Sequence, residues 1–255
     1  MNIGFKQRLA AGEQVTGTFV KTPSPMICEV LALTGLDLVC IDAEHAPFDR
    51  ASIDSCLLAL RSGGLPALVR VPSAAPEHIL NALDCGATGV VVPHITSAGK
   101  ARDVIASAHF GRGGRGYAGS TRAAGYTTRP MPQHLKRSAQ ESTVVLQIED
   151  VEAVEAIDEI VAVEGIDCLF IGRVDLAVAM GAESPGATEV VQAMERVCSA
   201  ATRAGLPVGM FLTDPGEIAH WAGLGAQLFL LGSDHGFILQ GARSLAESST
   251  QGKQS

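Results

Sequence analysis

The stretch LVCIDAEHAPFD, residues 38–49, carries four largely apolar residues straight into Asp42, Glu44 and His45 and then breaks at Pro47. A continuous apolar run, instead of an alternating one, belongs to a parallel sheet covered on both faces. Ionisable groups at its end are costly to bury unless they are paired, bound to a metal or open onto a cleft. The stretch therefore reads as a buried parallel strand whose C-terminal end faces a site.

The same grammar recurs along the chain. TGTFV (16–20), LDLVCID (36–42), PALVRV (66–71), TGVVVP (88–93), TVVLQIE (143–149), DCLFIG (167–172), PVGMFL (207–212) and QLFLLG (227–232) all read as strands. Segments able to form helices follow them, such as PEHILNALDCG (76–86) and ATEVVQAMERVCSAATRAG (187–205). Several junctions place a glycine between helix and next strand, as in ALTGLDLVC (32–40) and AGLGAQLFL (222–230), where a left-handed cap fits. Eight βα units in 255 residues predict an α/β fold, a single-domain (β/α)8 TIM barrel over 1–255. The competing doubly wound sheet would bring a Gly-rich loop after the first strand, and FVKTPSPM (19–26) is not one.

One segment breaks the short-loop pattern. Residues 109–142 are polar and rich in Gly and Arg, and are expected to form a long loop, a solvated lid unless GRGGRG (111–116) binds phosphate. Residues 248–255 are expected to form a flexible tail.

Composition narrows the function. A formal charge of -8 leaves no basic footprint for nucleic acid or anionic lipid. Without an apolar run of roughly 20 residues, or an apolar core near the N-terminus, neither a membrane span nor a signal peptide is expected, and the location is expected to be cytoplasmic. The 6 cysteines form no CxxC pair and read as reduced, buried small residues.

Barrel enzymes build their sites at the C-terminal strand ends. Those ends supply Asp42, Glu44 and His45 from the second strand, Arg70 from the third, Gln147, Glu149 and Asp150 from the fifth, Asp175 beyond the sixth, and Ser233, Asp234 and His235 from the eighth. Glu149 and Asp175 follow neighbouring strands, so the two carboxylates would repel unless a divalent cation joined them. An oxygen-rich site with open positions suits Mg²⁺, Mn²⁺ or Co²⁺. Taken singly, each residue has a structural alternative: a helix-capping carboxylate, a core histidine, an arginine in an ion pair.

The successive blocks FVKTPSPMICEVLALTGLDLVCIDAEHAPFD (19–49), LVRVPSAAPEHILNALDCGATGVVVPHI (68–95), GGRGYAGSTRAAGY (113–126), VVLQIEDVEAVEAIDEI (144–160), LFIGRVDLAVAMG (169–181) and LLGSDHGFI (230–238) resemble, in order, those of the HpcH/HpaI family of class II, metal-dependent pyruvate aldolases. That family includes 4-hydroxy-2-oxoheptanedioate aldolase and 2-dehydro-3-deoxyglucarate aldolase. The resemblance implies a carbon-carbon lyase (aldehyde-lyase) that reversibly cleaves a 4-hydroxy-2-oxo acid to pyruvate, or a related acid such as hydroxypyruvate, and an aldehyde, in aromatic or sugar acid catabolism. It further implies that Glu149 and Asp175 hold the metal, and that Arg70 meets the keto or enolate oxygen. His45, helped by Asp84, would move protons, while Gln147, Gly172 and Val174 complete the pyruvate pocket. Arg173, Asp42 and Glu44 would stand at its rim. A homohexamer, a trimer of dimers with the last helix exchanged, is implied as well.

The chain departs from the family at Arg173 and Val174, where Pro-Ala is common, and at Phe110 and Gly111, where Pro-Pro is. None of the residues quoted ends its strand in lysine, against a Schiff-base route. Two rivals remain: a related acyl-CoA lyase of malyl-CoA or citryl-CoA type, and a non-catalytic binding protein on the same scaffold.

Overall fold

The computed structural model describes residues 4–251. A short helix α1 (Gly4–Ala10) precedes β1 (Val15–Val20), α2 (Pro25–Ala32), β2 (Leu38–Asp42), α3 (Arg50–Ser62), β3 (Ala67–Arg70), α4 (Pro76–Asp84) and β4 (Gly89–Val92). Then come α5 (Ala98–Ala108), α6 (Met131–Glu141), β5 (Thr143–Ile148), α7 (Val151–Glu155), α8 (Ile157–Val161), β6 (Cys168–Ile171) and α9 (Arg173–Ala179). The chain continues through α10 (Thr188–Ala204), β7 (Val208–Leu212), a 3₁₀ turn at Pro215–Glu217, α11 (Ile218–Gly223), β8 (Ala226–Ser233) and α12 (Asp234–Gln251). All eight strands are parallel and pair in sequence order, and β8 returns to β1 to close the barrel. The expected (β/α)8 fold is the observed one.

The apolar strands are buried on both faces because two cores use them. Between strands and helices runs the larger, built from residues such as Val39, Ile41, Val69, Val90, Val92 and Ile171. Inside the barrel lies a second, with Leu38, Cys40, Leu68, Val91, Val145, Phe170 and Leu228. At its foot α1 adds Phe5 and Leu9, and is tied there by Lys6, whose ammonium sits 2.8 Å from Asp167. At its top Phe19 meets Phe170 edge-on at 6.4 Å and Phe211 at 5.8 Å, flooring the mouth. Phe5→Ala is expected to lower stability by about 3–5 kcal/mol, read from urea denaturation. A loss under about 1 kcal/mol would mean that α1 does not close the foot.

Two expectations need correction. Residues 109–142 are no lid over the mouth, because α5 runs from mouth to foot and delivers residue 109 to the opposite end. There α6 forms, Arg115 is buried with its guanidinium 3.9 Å over the Phe110 ring, and the Ala123 N–H donates to the Asp84 carbonyl at 3.3 Å. Residues 248–251, expected in a frayed tail, continue α12; 252–255 lie outside the described residues. Along α12, Phe237, Ile238, Leu239 and Leu245 are all exposed. No helix among the described residues is long and apolar enough to cross a membrane.

Candidate active site

The ionisable end of β2 is resolved by its neighbour. Asp42 is opposite Arg70 in the β2–β3 register, and the two form a buried fork, Nε to Oδ1 at 3.0 Å and Nη2 to Oδ2 at 2.8 Å. The His45 backbone N–H donates to Asp42 Oδ1 at 3.1 Å, and Lys21 Nζ lies 3.3 Å from Oδ2. Burial alone would raise the Asp42 carboxyl, but the Arg70 fork outweighs it and holds the group below its ordinary range. Asp42, expected at the rim, is therefore wholly buried beneath Arg70. Arg70 is fixed further by the Phe19 ring, 4.7 Å from its guanidinium carbon, and by Glu44 Oε2 at 3.4 Å. Its planar fork is pre-oriented before any ligand arrives.

A cavity of about 370 Å³ opens above the aromatic floor. His45, Arg70, Gln147, Gly172, Arg173, Val174 and Asp175 line it, together with Lys21, Thr213 and Ser233. Arg173 stands at its rim, where Nε donates to the Pro185 carbonyl and Nη1 to Glu217 Oε2, both at 2.7 Å. Its charge is thus already matched. Lys21 and Thr213 went unread in the sequence although each directly follows a strand, β1 and β7. Lys21 is engaged in the ion pair with Asp42.

Beside this wall stands a group of metal-binding character. Glu149, just past β5, is buried; its Oε1 accepts from the His94 backbone N–H at 2.8 Å and its Oε2 from the Gln147 amide. A Cβ at Gly172 would lie 2.6 Å from Glu149 Oε2, so the site tolerates only glycine there. Glu44 is raised by burial, with Arg70 opposing. Glu44 Oε2 and Gln147 Oε1 are buried oxygens without a hydrogen bond. One donor atom from each of Glu44, His94 and Glu149 lies within 4.8 Å of the others. Hard oxygens beside an imidazole, with Glu44 Oε2 met only by the longer Arg70 ion pair, fit a divalent cation. Asp175, in the first turn of α9, is exposed toward the same cavity, and no hydrogen bond or ion pair among the described residues joins it to Glu149.

Not every expected residue reaches the mouth. Asp84 ends α4 at the barrel foot, beside Arg115 and Arg50, and burial raises its carboxyl against those charges. It and His45 do not meet within one chain. Asp234 is structural, accepting the Lys21 and Thr22 backbone N–H groups at 2.8 and 2.9 Å, and His235 is exposed.

The family described as HpcH/HpaI aldolase/citrate lyase matches residues 15–240. A hydroxypyruvate/pyruvate aldolase of Roseovarius nubinhibens is 32% identical over 240 residues, which are 94% of this chain and 93% of that protein. A 5-keto-4-deoxy-D-glucarate aldolase of Salmonella arizonae is 32% identical over 249 residues, covering 96% and 95%. The crystal structure of an HpcH/HpaI aldolase/citrate lyase family protein from Burkholderia cenocepacia superposes with a TM-score of 0.91 at 32% identity, over 97% of this chain and 99% of that one.

Proposed function

The chain belongs to the HpcH/HpaI aldolase/citrate lyase family, and from that premise we propose that it is a divalent-metal-dependent aldolase joining and cleaving pyruvate, or hydroxypyruvate, and an aldehyde. The observation that carries this reading is the adjacency of a pre-oriented Arg70 and an oxygen-rich group around Glu149 at one small cavity. Its volume suits a short 2-oxo acid with an aldehyde, and a pool of aldolases among the relatives agrees.

Glu149 and Asp175 would hold Mg²⁺, Mn²⁺ or Co²⁺, and Glu44 and His94 adjoin Glu149. Bound there, the ion supplies Lewis-acid polarisation of the 2-oxo group. Arg70 hydrogen-bonds the same oxygen and stabilises the charge that grows on it as the enolate forms. Gln147, Gly172 and Val174 wall the acid. His45, half-exposed beside the cavity, takes the proton of the 4-hydroxyl during cleavage and returns it in the reverse direction. A 10²–10³-fold loss of both cleavage and pyruvate C3 proton exchange is expected for Arg70→Ala, the usual cost of one oxyanion donor. Wild-type exchange in that variant would remove the enolate role. Lysine should rescue only in part, because it keeps the charge and loses the fork.

The apolar face of α12 and the foot position of Asp84 support a homo-oligomer, in which Asp84 serves the His45 of a neighbouring copy. Incubating pyruvate and hydroxypyruvate with a panel of aldehydes and each of the three metals tests the whole reading. A 4-hydroxy-2-oxo acid should form; its absence throughout the panel, with no cleavage of such acids, would reject the reading.

A further inference from the structure

Among the described residues, His94 is the one non-glycine residue at the mouth with positive φ, at 56°, a conformation uncommon outside glycine and found where surroundings impose it. The turn aims its backbone N–H at Glu149 Oε1, 2.8 Å away. Its ring then lies between carboxylates. Nδ1 sits 3.3 and 3.2 Å from Asp150 Oδ1 and Oδ2 and 3.4 Å from Glu149 Oε1, while Nε2 sits 3.8 Å from Glu44 Oε1. Two carboxylates around Nδ1 favour the tautomer with its proton there; the Nε2 contact is too long for a hydrogen bond. It is the separation of two donors on one ion, since bonds of about 2.1 Å place such donors roughly 3–4.2 Å apart. A carboxylate on one imidazole nitrogen and a vacant lone pair on the other is the usual support of a metal-bound histidine. Glu44, with side-chain exposure of 10%, turns Oε1 toward Nε2 and Oε2 toward Arg70 Nε, 3.4 Å away.

We propose that His94 is a nitrogen ligand of the ion held at Glu149, with Asp150 fixing its tautomer and Glu44 as the adjoining carboxylate. The proposal rests on the metal-dependent reading above. Its consequence is selectivity: an imidazole favours Co²⁺ over Mg²⁺, which prefers oxygen.

Proton NMR of the Co²⁺-loaded protein tests it directly. A hyperfine-shifted, solvent-exchangeable imidazole N–H resonance is expected in the wild type and should vanish in His94→Asn, a variant chosen because asparagine also accepts positive φ. By calorimetry Asp150→Asn should weaken Co²⁺ binding by about 10–100-fold, and His94→Asn should narrow the preference for Co²⁺ over Mg²⁺. If Co²⁺ binds but no such resonance exists, or if it persists in His94→Asn, His94 is no ligand and the metal-dependent reading stands. If wild-type protein binds none of Mg²⁺, Mn²⁺ and Co²⁺, that reading and this one fall together.

Discussion

Glu149→Gln is expected to cut aldol cleavage by on the order of 10³-fold or more, because Lewis-acid stabilisation contributes several kcal/mol and each 1.36 kcal/mol is tenfold in rate. The substitution is nearly isosteric. It keeps an oxygen for the His94 N–H or the Gln147 amide and removes the buried charge on which a cation depends. Calorimetry should accordingly show lost Mg²⁺, Mn²⁺ and Co²⁺ binding, with far-UV circular dichroism unchanged. Asp175→Asn should weaken binding less, since Asp175 is exposed and its place around the ion can be taken by water. Stripping the wild type with EDTA should reproduce the Glu149→Gln loss, and each metal should restore activity. Full activity in the stripped protein would move the chemistry away from Glu149.

How much of this was readable in advance depends on what each residue answers to. The barrel was legible because every strand must be apolar on both faces, a constraint that leaves continuous runs such as residues 89–92 in the sequence. The mouth was legible wherever an ionisable residue interrupts such a run, as at Asp42 and Glu149. Burial depth was not. Asp42 was expected at the rim, and only the β2–β3 register, which sets it opposite Arg70, makes it the buried partner. Lys21 was overlooked because β1 ends in FVKT, where a single lysine before a proline reads as an ordinary turn. The foot segment misled for a different reason: polar, Gly-rich composition describes a surface loop equally well at either end of a barrel. Only the direction of α5 decides which end. His94, two residues past β4, reads from its spacing as either rim or site, and what the spacing does not show is the backbone turn that sets it against a carboxylate 55 residues later in the chain.

The same directional argument leads to the last expected result. His45→Ala should slow cleavage by about 10²–10⁴-fold, the range for a general acid–base group, and Asp84→Asn should also be impaired if it supports that proton transfer. Within one chain it cannot do so directly: His45 follows β2 at the mouth, Asp84 closes α4 at the foot, and the 9 residues of that helix alone span about 13 Å. The exposed apolar residues of α12 would supply a surface for the proposed assembly, and a closed symmetric oligomer could set one copy's foot at another's mouth without any change inside either chain. Mixing the two variants after dissociation and reassembly should then restore activity, since about a quarter of the composite sites would combine an intact His45 with an intact Asp84. Unmixed samples of either variant should remain slow under the same treatment. If reassembled mixtures show only the average of the two parents while light scattering confirms hybrid oligomers, Asp84 does not reach across the interface, and its charge interaction with Arg115 is its whole role.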